Sequence, residues 1–216
     1  MKAFVIMFNR LTSPKKLCRQ LVKGGCEVIL IDNGSTYQPL LKWYKDCPYK
    51  VHLLKEGGHK SLWESGIINE YSDRYYIVTD HDLDLTGVPK DFISVLMKGF
   101  ENPNIVKSGL SLRIDDLPDN EYTKEVIEWE SRFWKTRQDN NGFYFSDIDT
   151  TLAIYDRERM PDININQWFS AVRSPAPYSA RHLPWYNEEP LSNEENYYFK
   201  LSNGMITSSV FLDLFK

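Results

Sequence analysis

Tyr75-Tyr76-Ile77-Val78-Thr79-Asp80-His81-Asp82-Leu83-Asp84 is an apolar run that ends in three alternate carboxylates. A continuous run of this kind marks a strand buried on both faces, as in a parallel sheet. Asp80 and Asp82 stand at i and i+2, so on an extended chain they point to one side. In parallel α/β sheets the C-terminal edge of the strands is where ligands bind. Two adjacent carboxylates repel each other unless a cation lies between them. A divalent metal that bridges to phosphate oxygens resolves that repulsion. The bland alternative is a solvated acidic turn.

Three similar runs precede it. Ala3–Phe8, Val28–Ile31 and Val51–Leu54 read as buried strands, and Asn104–Leu112 as a fifth. Helical patterns separate them. Ser13-Pro14 predicts an N-cap followed by proline at the first helical position, with Leu17, Cys18, Leu21 and Val22 on one face and Gly24-Gly25 as the stop. Leu62–Tyr71 predicts a second helix, and Phe92, Val95 and Leu96 a third. The βαβαβ rhythm implies an α/β fold with a mixed, mostly parallel central sheet flanked by helices.

After residue 115 the pattern changes, but no linker separates the halves. Pro118-Asp119 predicts a helix start, with Val126, Trp129, Phe133 and Trp134 on one face. Phe143–Tyr155 alternates like one or two strands, and 160–190 reads as ordered loops with short strands. Val210–Phe215 predicts a final helix. We expect one domain over 1–216, with 1–115 as a ligand-binding half that carries the strand-end motifs and 116–216 as a second half.

Composition bounds the function. Of 216 residues, 42% are hydrophobic and 14% aromatic, enough for a sizeable core, so wholesale disorder is excluded. The net charge of −4 argues against a nucleic-acid binder with a basic surface. The longest stretch without Asp, Glu, Lys or Arg runs from Leu201 to Leu212, shorter than the ~18 residues a membrane span needs. Cys18, Cys26 and Cys47 are odd in number and not spaced for a metal, which predicts free thiols, a reducing compartment and a cytoplasmic protein.

Two further loops carry chemistry. Ile31-Asp32-Asn33-Gly34-Ser35 repeats the strand-then-Asp pattern, with Asn33-Gly34 suited to a tight turn. Asp32 can accept hydrogen bonds from a base or a ribose. Lys55-Glu56-Gly57-Gly58-His59-Lys60-Ser61 leads into a helix, so Gly58, His59 and Lys60 suit phosphate. Ordinary turns of both kinds are common.

Asn9-Arg10 after the first strand, Ile31–Ser35 after the second and Asp80-His81-Asp82 after the fourth resemble, in order and spacing, the GT-A nucleotide-sugar glycosyltransferases of the family-2-like group. The resemblance covers about residues 2–115. The segments Arg113–Asp119, Asp147–Thr151 and Arg181–Tyr186 look like those of a bacterial and viral subgroup, and are similar to a chlorella-virus domain acting on capsid glycan. The resemblance implies a sugar transferred from a nucleoside diphosphate, UDP above all, to a hydroxyl of a glycan or glycoprotein. It implies that Asn9, Arg10, Asp32 and His81 contact the donor, that Asp80 contacts ribose or metal, and that Asp82 binds Mn²⁺ or Mg²⁺. It also implies a metal-ligating histidine from the C-terminal region, for which His182 is the best match; a simple stack on Trp185 is the alternative. The usual Glu-Asp pair at a helix start is not evident. Asp149 is then the candidate base, or equally a carboxylate that steadies an oxocarbenium-like sugar, with Asp115, Asp116 and Glu130 as rivals and Asp119 as a helix cap. Trp63, Trp185 and Tyr186 are candidates to stack on sugars.

A phosphatase also fits locally. Asp82-Leu83-Asp84-Leu85-Thr86 matches the Asp-x-Asp-x-Thr signature of haloacid-dehalogenase-like enzymes, although that signature normally ends the first strand of its fold. A non-catalytic sugar-binding module is the third reading.

Overall fold

A computed structural model describes residues 1–120, 123–160, 170–187 and 190–202. The expected final helix at Val210–Phe215 lies outside them. The first strands form as the apolar runs predict: β1 (Lys2–Met7), β2 (Glu27–Asn33), β3 (Lys50–Leu54) and β4 (Tyr75–Asp80). Along β1 the side chains alternate between two cores. Ala3, Val5 and Met7 pack on one face, and Phe4 and Ile6 on the other. Both faces of the sheet are therefore dry, which is why these strands read as unbroken apolar runs.

The main sheet has eight strands in the order β3-β2-β1-β4-β9-β6-β10-β8, with β6 at Lys107–Gly109, β8 at Tyr144–Phe145, β9 at Ala153–Asp156 and β10 at Ala171–Arg173. The pairs β1–β2, β2–β3, β1–β4 and β6–β10 are parallel. The pairs β4–β9, β6–β9 and β8–β10 are antiparallel. The single strand expected over Asn104–Leu112 divides. Its first part joins the main sheet, and β7 (Ser111–Leu112) joins a second sheet ordered β5-β11-β7, with β5 at Leu83–Asp84 and β11 at Ser179–His182.

Helix α1 (Thr12–Lys23) starts one residue before the expected Ser13 cap, at an N-cap Leu11 with no side-chain cap bond. A remote partner fills that role: Glu194 accepts from the Thr12 N–H at 2.9 Å and from its hydroxyl at 3.2 Å. Val22 is 48% exposed rather than on the buried face, which Pro14 completes instead. The helix α2 spans Gln38–Tyr44. The helix expected over Leu62–Tyr71 breaks into α3 (Ser61–Glu64) and a 3₁₀ turn (Ile67–Glu70), because Gly66 between them takes φ 76°. Helix α4 covers Phe92–Met97, and α5 covers Thr123–Ser131, so Asp119 stands four residues before it and not at its cap. Phe133 and Trp134 fall beyond its end. A helix the sequence reading passed over, α6 (Asn193–Leu201), touches the segments that follow β1 and β2, through Phe8 and Arg10 and through Thr36.

Candidate active site

The strand β4 delivers Asp80 to the sheet edge, and the next residues turn into the small sheet. There β5 pairs antiparallel with β11, setting Leu83 opposite His182 and Asp84 opposite Arg181. The Leu183 N–H donates to the Asp82 carbonyl at 2.8 Å. Ladder register therefore brings His182, a hundred residues on, beside Asp82: its Nε2 lies 3.6 Å from Asp82 Oδ2. The His182 ring also meets Trp185 edge-on, with centroids 4.8 Å apart. The two sequence readings of His182 thus coincide in one position.

Asp149 arrives by a different route. The Asp80 N–H donates to the Thr150 carbonyl at 3.0 Å, and the Thr150 hydroxyl donates to Asp80 Oδ2 at 2.7 Å. Thr150 so ties the loop before β9 to the end of β4. One step along, the Thr151 N–H and hydroxyl both donate to Asp149 Oδ1, at 2.9 and 2.5 Å. Asp80, Asp149 and His182 line one cavity of about 660 Å³, with Glu130, Arg173, Trp129, Phe133, Phe145 and Trp185 among its walls. Apart from Asp80, the lining comes from residue 112 onward.

The electrostatics set these carboxylates apart. Burial first, and then Asp82 and Asp149, push Asp80 up to about 8. Burial alone would raise Asp82 too, but His182, His81 and Arg10 outweigh it and hold Asp82 below the carboxylate range. Burial likewise opposes ionisation of Asp149, yet the two Thr151 bonds and the charges of Arg173 and Lys107 leave it lowered. His182 is raised: burial lowers it, and Asp82, Asp149 and Asp80 prevail. Glu130 is 2% exposed, pairs with Arg173 Nη1, and is pushed by burial up to about 7.

Arg10 is the hub on the other side of Asp82. It is 1% exposed, donates from Nη1 to Asp82 Oδ2 at 3.1 Å and from Nε and Nη2 to the Glu195 carboxylate, and stacks on Tyr198 at 3.5 Å. Glu195 and Tyr198 both belong to α6. The sequence signal for that helix was Ser192 three residues before Glu195: Ser192 is the N-cap and its Oγ accepts from the Glu195 N–H at 3.2 Å, while the Glu195 carboxylate goes to Arg10. The Tyr197 hydroxyl bonds the Thr36 hydroxyl at 2.9 Å, and Tyr198 packs edge-on against His81.

Four polar atoms at the ends of β1, β2 and β4 are buried without a hydrogen-bond partner among the described residues: Asn9 Nδ2, Asn33 Oδ1, His81 Nε2 and Asp82 Oδ1. Each belongs to a residue less than 9% exposed. Buried polar groups are normally paired, so a concentration of orphans at one sheet edge calls for a ligand or water there. Asn9 itself, at φ 46°, also serves the scaffold, since its Oδ1 accepts from the Thr36 and Tyr37 N–H groups at 2.7 and 3.0 Å.

Other predicted residues sit elsewhere. Asp32 is buried, and both its oxygens are engaged: Oδ1 accepts from the Ser35 N–H at 2.8 Å and Oδ2 from the Tyr44 hydroxyl at 2.7 Å. The loop of Gly58, His59 and Lys60 does not line the cavity; the Gly58 carbonyl accepts from Asn33 Nδ2 at 3.0 Å. Trp63 donates to the Tyr76 hydroxyl at 3.0 Å and packs on Tyr155, so it belongs to the core. Among the rivals to Asp149, Asp116 pairs with Arg181 and Tyr186 outside the cavity, and Asp115 is 85% exposed at the surface. Asp84, needed by the phosphatase reading, is spent on Lys16, Gln20 and Thr86.

No protein-family model and no curated protein matches the chain. Among solved structures it is similar to the mannosyltransferase PcManGT from Pyrobaculum calidifontis in complex with GDP-Man and Mn²⁺, at 14% identity and a TM-score of 0.53, over 84% of this chain and 56% of that one. The fold is GT-A. The chain spans just over half the length of that relative, and at this identity the likeness reaches no further than the fold. A CMP:2-keto-3-deoxy-manno-octonic acid synthetase complexed with CTP also matches, at 12% identity and a TM-score of 0.44 over 74% of this chain and 76% of that one, too distant to bear on the argument. No helix among the described residues is long and apolar enough to cross a membrane.

Proposed function

We propose that this protein is a metal-dependent glycosyltransferase that moves a sugar from a nucleoside diphosphate, with UDP as the first candidate, to a hydroxyl of a glycan. The observation that carries the reading is the shared cavity of Asp80, Asp149 and His182 beside a sheet edge bearing orphaned polar atoms.

The residues fit a divalent cation held mainly by its substrate. Among the described residues no three His, Cys, Asp or Glu side chains form a ready cage. The buried, unpartnered Asp82 Oδ1 and the mutual repulsion that raises Asp80 supply two carboxylate positions. Mn²⁺ or Mg²⁺ on a nucleotide commonly needs no more from the protein, because phosphate oxygens and water complete the shell. His182, beside Asp82, is the candidate third ligand. When bound, the cation neutralises the departing diphosphate.

The chain's own groups do the rest. Asn9, Asn33 and His81 offer their unpartnered atoms to the nucleotide. Arg10 and His182 hold Asp82 ionised. Asp149 takes the acceptor proton on Oδ2, since Thr151 occupies Oδ1. Trp129 and Trp185 give the cavity aromatic surface for sugar rings. A second base, Glu130, is favoured by one observation: its value of about 7 lies nearer that of an efficient base at neutral pH.

The test is a nucleotide-sugar panel with Mn²⁺, read by mass spectrometry for released diphosphate. We expect release from at least one donor, lost in EDTA and in Asp82→Asn. Diphosphate binding without release from any donor would favour the binding-module reading.

A further inference from the structure

Lys107 is buried where a strand should carry an apolar side chain. It sits in β6, between β9 and β10 in the main sheet, and is 0% exposed. Its Nζ donates to the Ile148 carbonyl and, at 3.2 Å, to the Asp149 carbonyl. On the next strand, Arg173 Nε donates to the Asp147 carbonyl at 2.7 Å. Two cations from adjacent strands thus hold three successive carbonyls, 147, 148 and 149. The Asp149 side chain itself accepts from Thr151 on Oδ1, and the residue lines the cavity.

We propose that Lys107 and Arg173 are positioning residues, which fix the 147–149 backbone so that the Asp149 carboxylate is held at the cavity wall facing Asp80. The functional part of this inference rests on the glycosyltransferase reading; the structural part does not. A buried ammonium is costly, and burial drives Lys107 down to about 7 against the opposing pull of Asp149 and Asp147 and with the added push of Arg173. A methionine or leucine would fill the same space without that cost. The lysine is explained by the carbonyls of this loop: Ile148 accepts from Lys107, and Asp149 accepts from Lys107 and, at 3.3 Å, from the Tyr155 hydroxyl.

Two measurements on the intact chain test the inference. Lys107→Met keeps the buried volume and removes the donor; Lys107→Gln keeps an N–H donor and guards against a variant that merely fails to fold. In hydrogen exchange, the Thr151 amide, which bonds Asp149 Oδ1, should exchange at least tenfold faster in Lys107→Met. The β1, β2 and β4 amides should stay protected, and Lys107→Gln should restore part of the loss. In turnover, Lys107→Met should lower kcat tenfold or more with donor KM unchanged, and should cost nothing further in an Asp149→Asn background. Unchanged Thr151 exchange in a folded Lys107→Met protein overturns the inference. So does a kcat loss that multiplies with that of Asp149→Asn. If no donor turns over in the wild type, it is the transferase reading that fails, and the exchange result still decides whether Lys107 positions the loop.

Discussion

Asp32 and Asp80 end neighbouring strands on either side of β1, and both follow a buried apolar run. Their surroundings differ. Asp32 has a backbone N–H on one oxygen and a tyrosine hydroxyl on the other. Asp80 has one hydroxyl, two carboxylate neighbours, and a value driven up to about 8. A buried carboxylate with one donor on each oxygen steadies a turn. One crowded by like charge, next to an orphaned Asp82 oxygen and an open cavity, is arranged for a cation or a reacting group. The same sequence pattern therefore has two physical outcomes, and only the partners distinguish them.

The largest expected effect lies on the crowded side. Asp149→Asn should cut turnover by about 10²-fold or more, the scale of lost proton transfer, while UDP affinity barely moves. If turnover is near normal and Glu130→Gln is the damaging change, the base passes to Glu130.

Asp32→Asn sharpens the contrast. With Oδ1 kept on the Ser35 N–H, its NH₂ meets the Tyr44 hydroxyl, which must turn from donor to acceptor, and the loss of two charge-assisted bonds in a buried site should cost about 1–3 kcal/mol. At roughly 2–4 °C per kcal/mol for a chain of this size, the melting temperature should drop measurably while folded protein keeps its turnover. Lost donor affinity with an unchanged melting temperature would break the contrast and restore Asp32 to the nucleotide site.

The crowded side also predicts a pH dependence. Asp80 holds its proton up to about 8 in the folded chain, whereas an unfolded aspartate loses it near 4. Between those values the folded state binds more protons than the unfolded, so stability falls as pH rises from about 4 to about 8. Asp80→Asn should flatten that decline in melting temperature, and an equal decline in the variant would place its origin elsewhere.

Much of this was legible in the sequence. The strands β1–β4 announced themselves because burial on both faces forbids polar interruption, and Asp80-His81-Asp82 sat at the edge where such strands end. Asp149 was named because no Glu-Asp pair at a helix start was evident, and the structure puts it on the same cavity as Asp80. The satisfied state of Asp32 was not, because its partner Tyr44 comes from α2, a helix whose placement only tertiary packing decides. The grip of α6 on Arg10 joins residues 185 apart in sequence, beyond any local pattern. Nothing local singles out Lys107, since the carbonyls it holds lie in a loop about forty residues on.

The central claim is that the edge formed by β1, β2 and β4 binds a nucleoside diphosphate through a metal at Asp80 and Asp82. A melting curve with UDP, Mn²⁺ and EDTA in turn tests it without knowledge of the sugar. Ligand at about 100 times its dissociation constant stabilises the native state by roughly 2.7 kcal/mol. That corresponds to a rise of roughly 5–10 °C for a domain of this size. We predict such a rise for wild type with UDP and Mn²⁺, and little or none in EDTA or in Asp82→Asn. No shift with any nucleoside diphosphate in the presence of Mn²⁺, or an equal shift in Asp82→Asn, would contradict it.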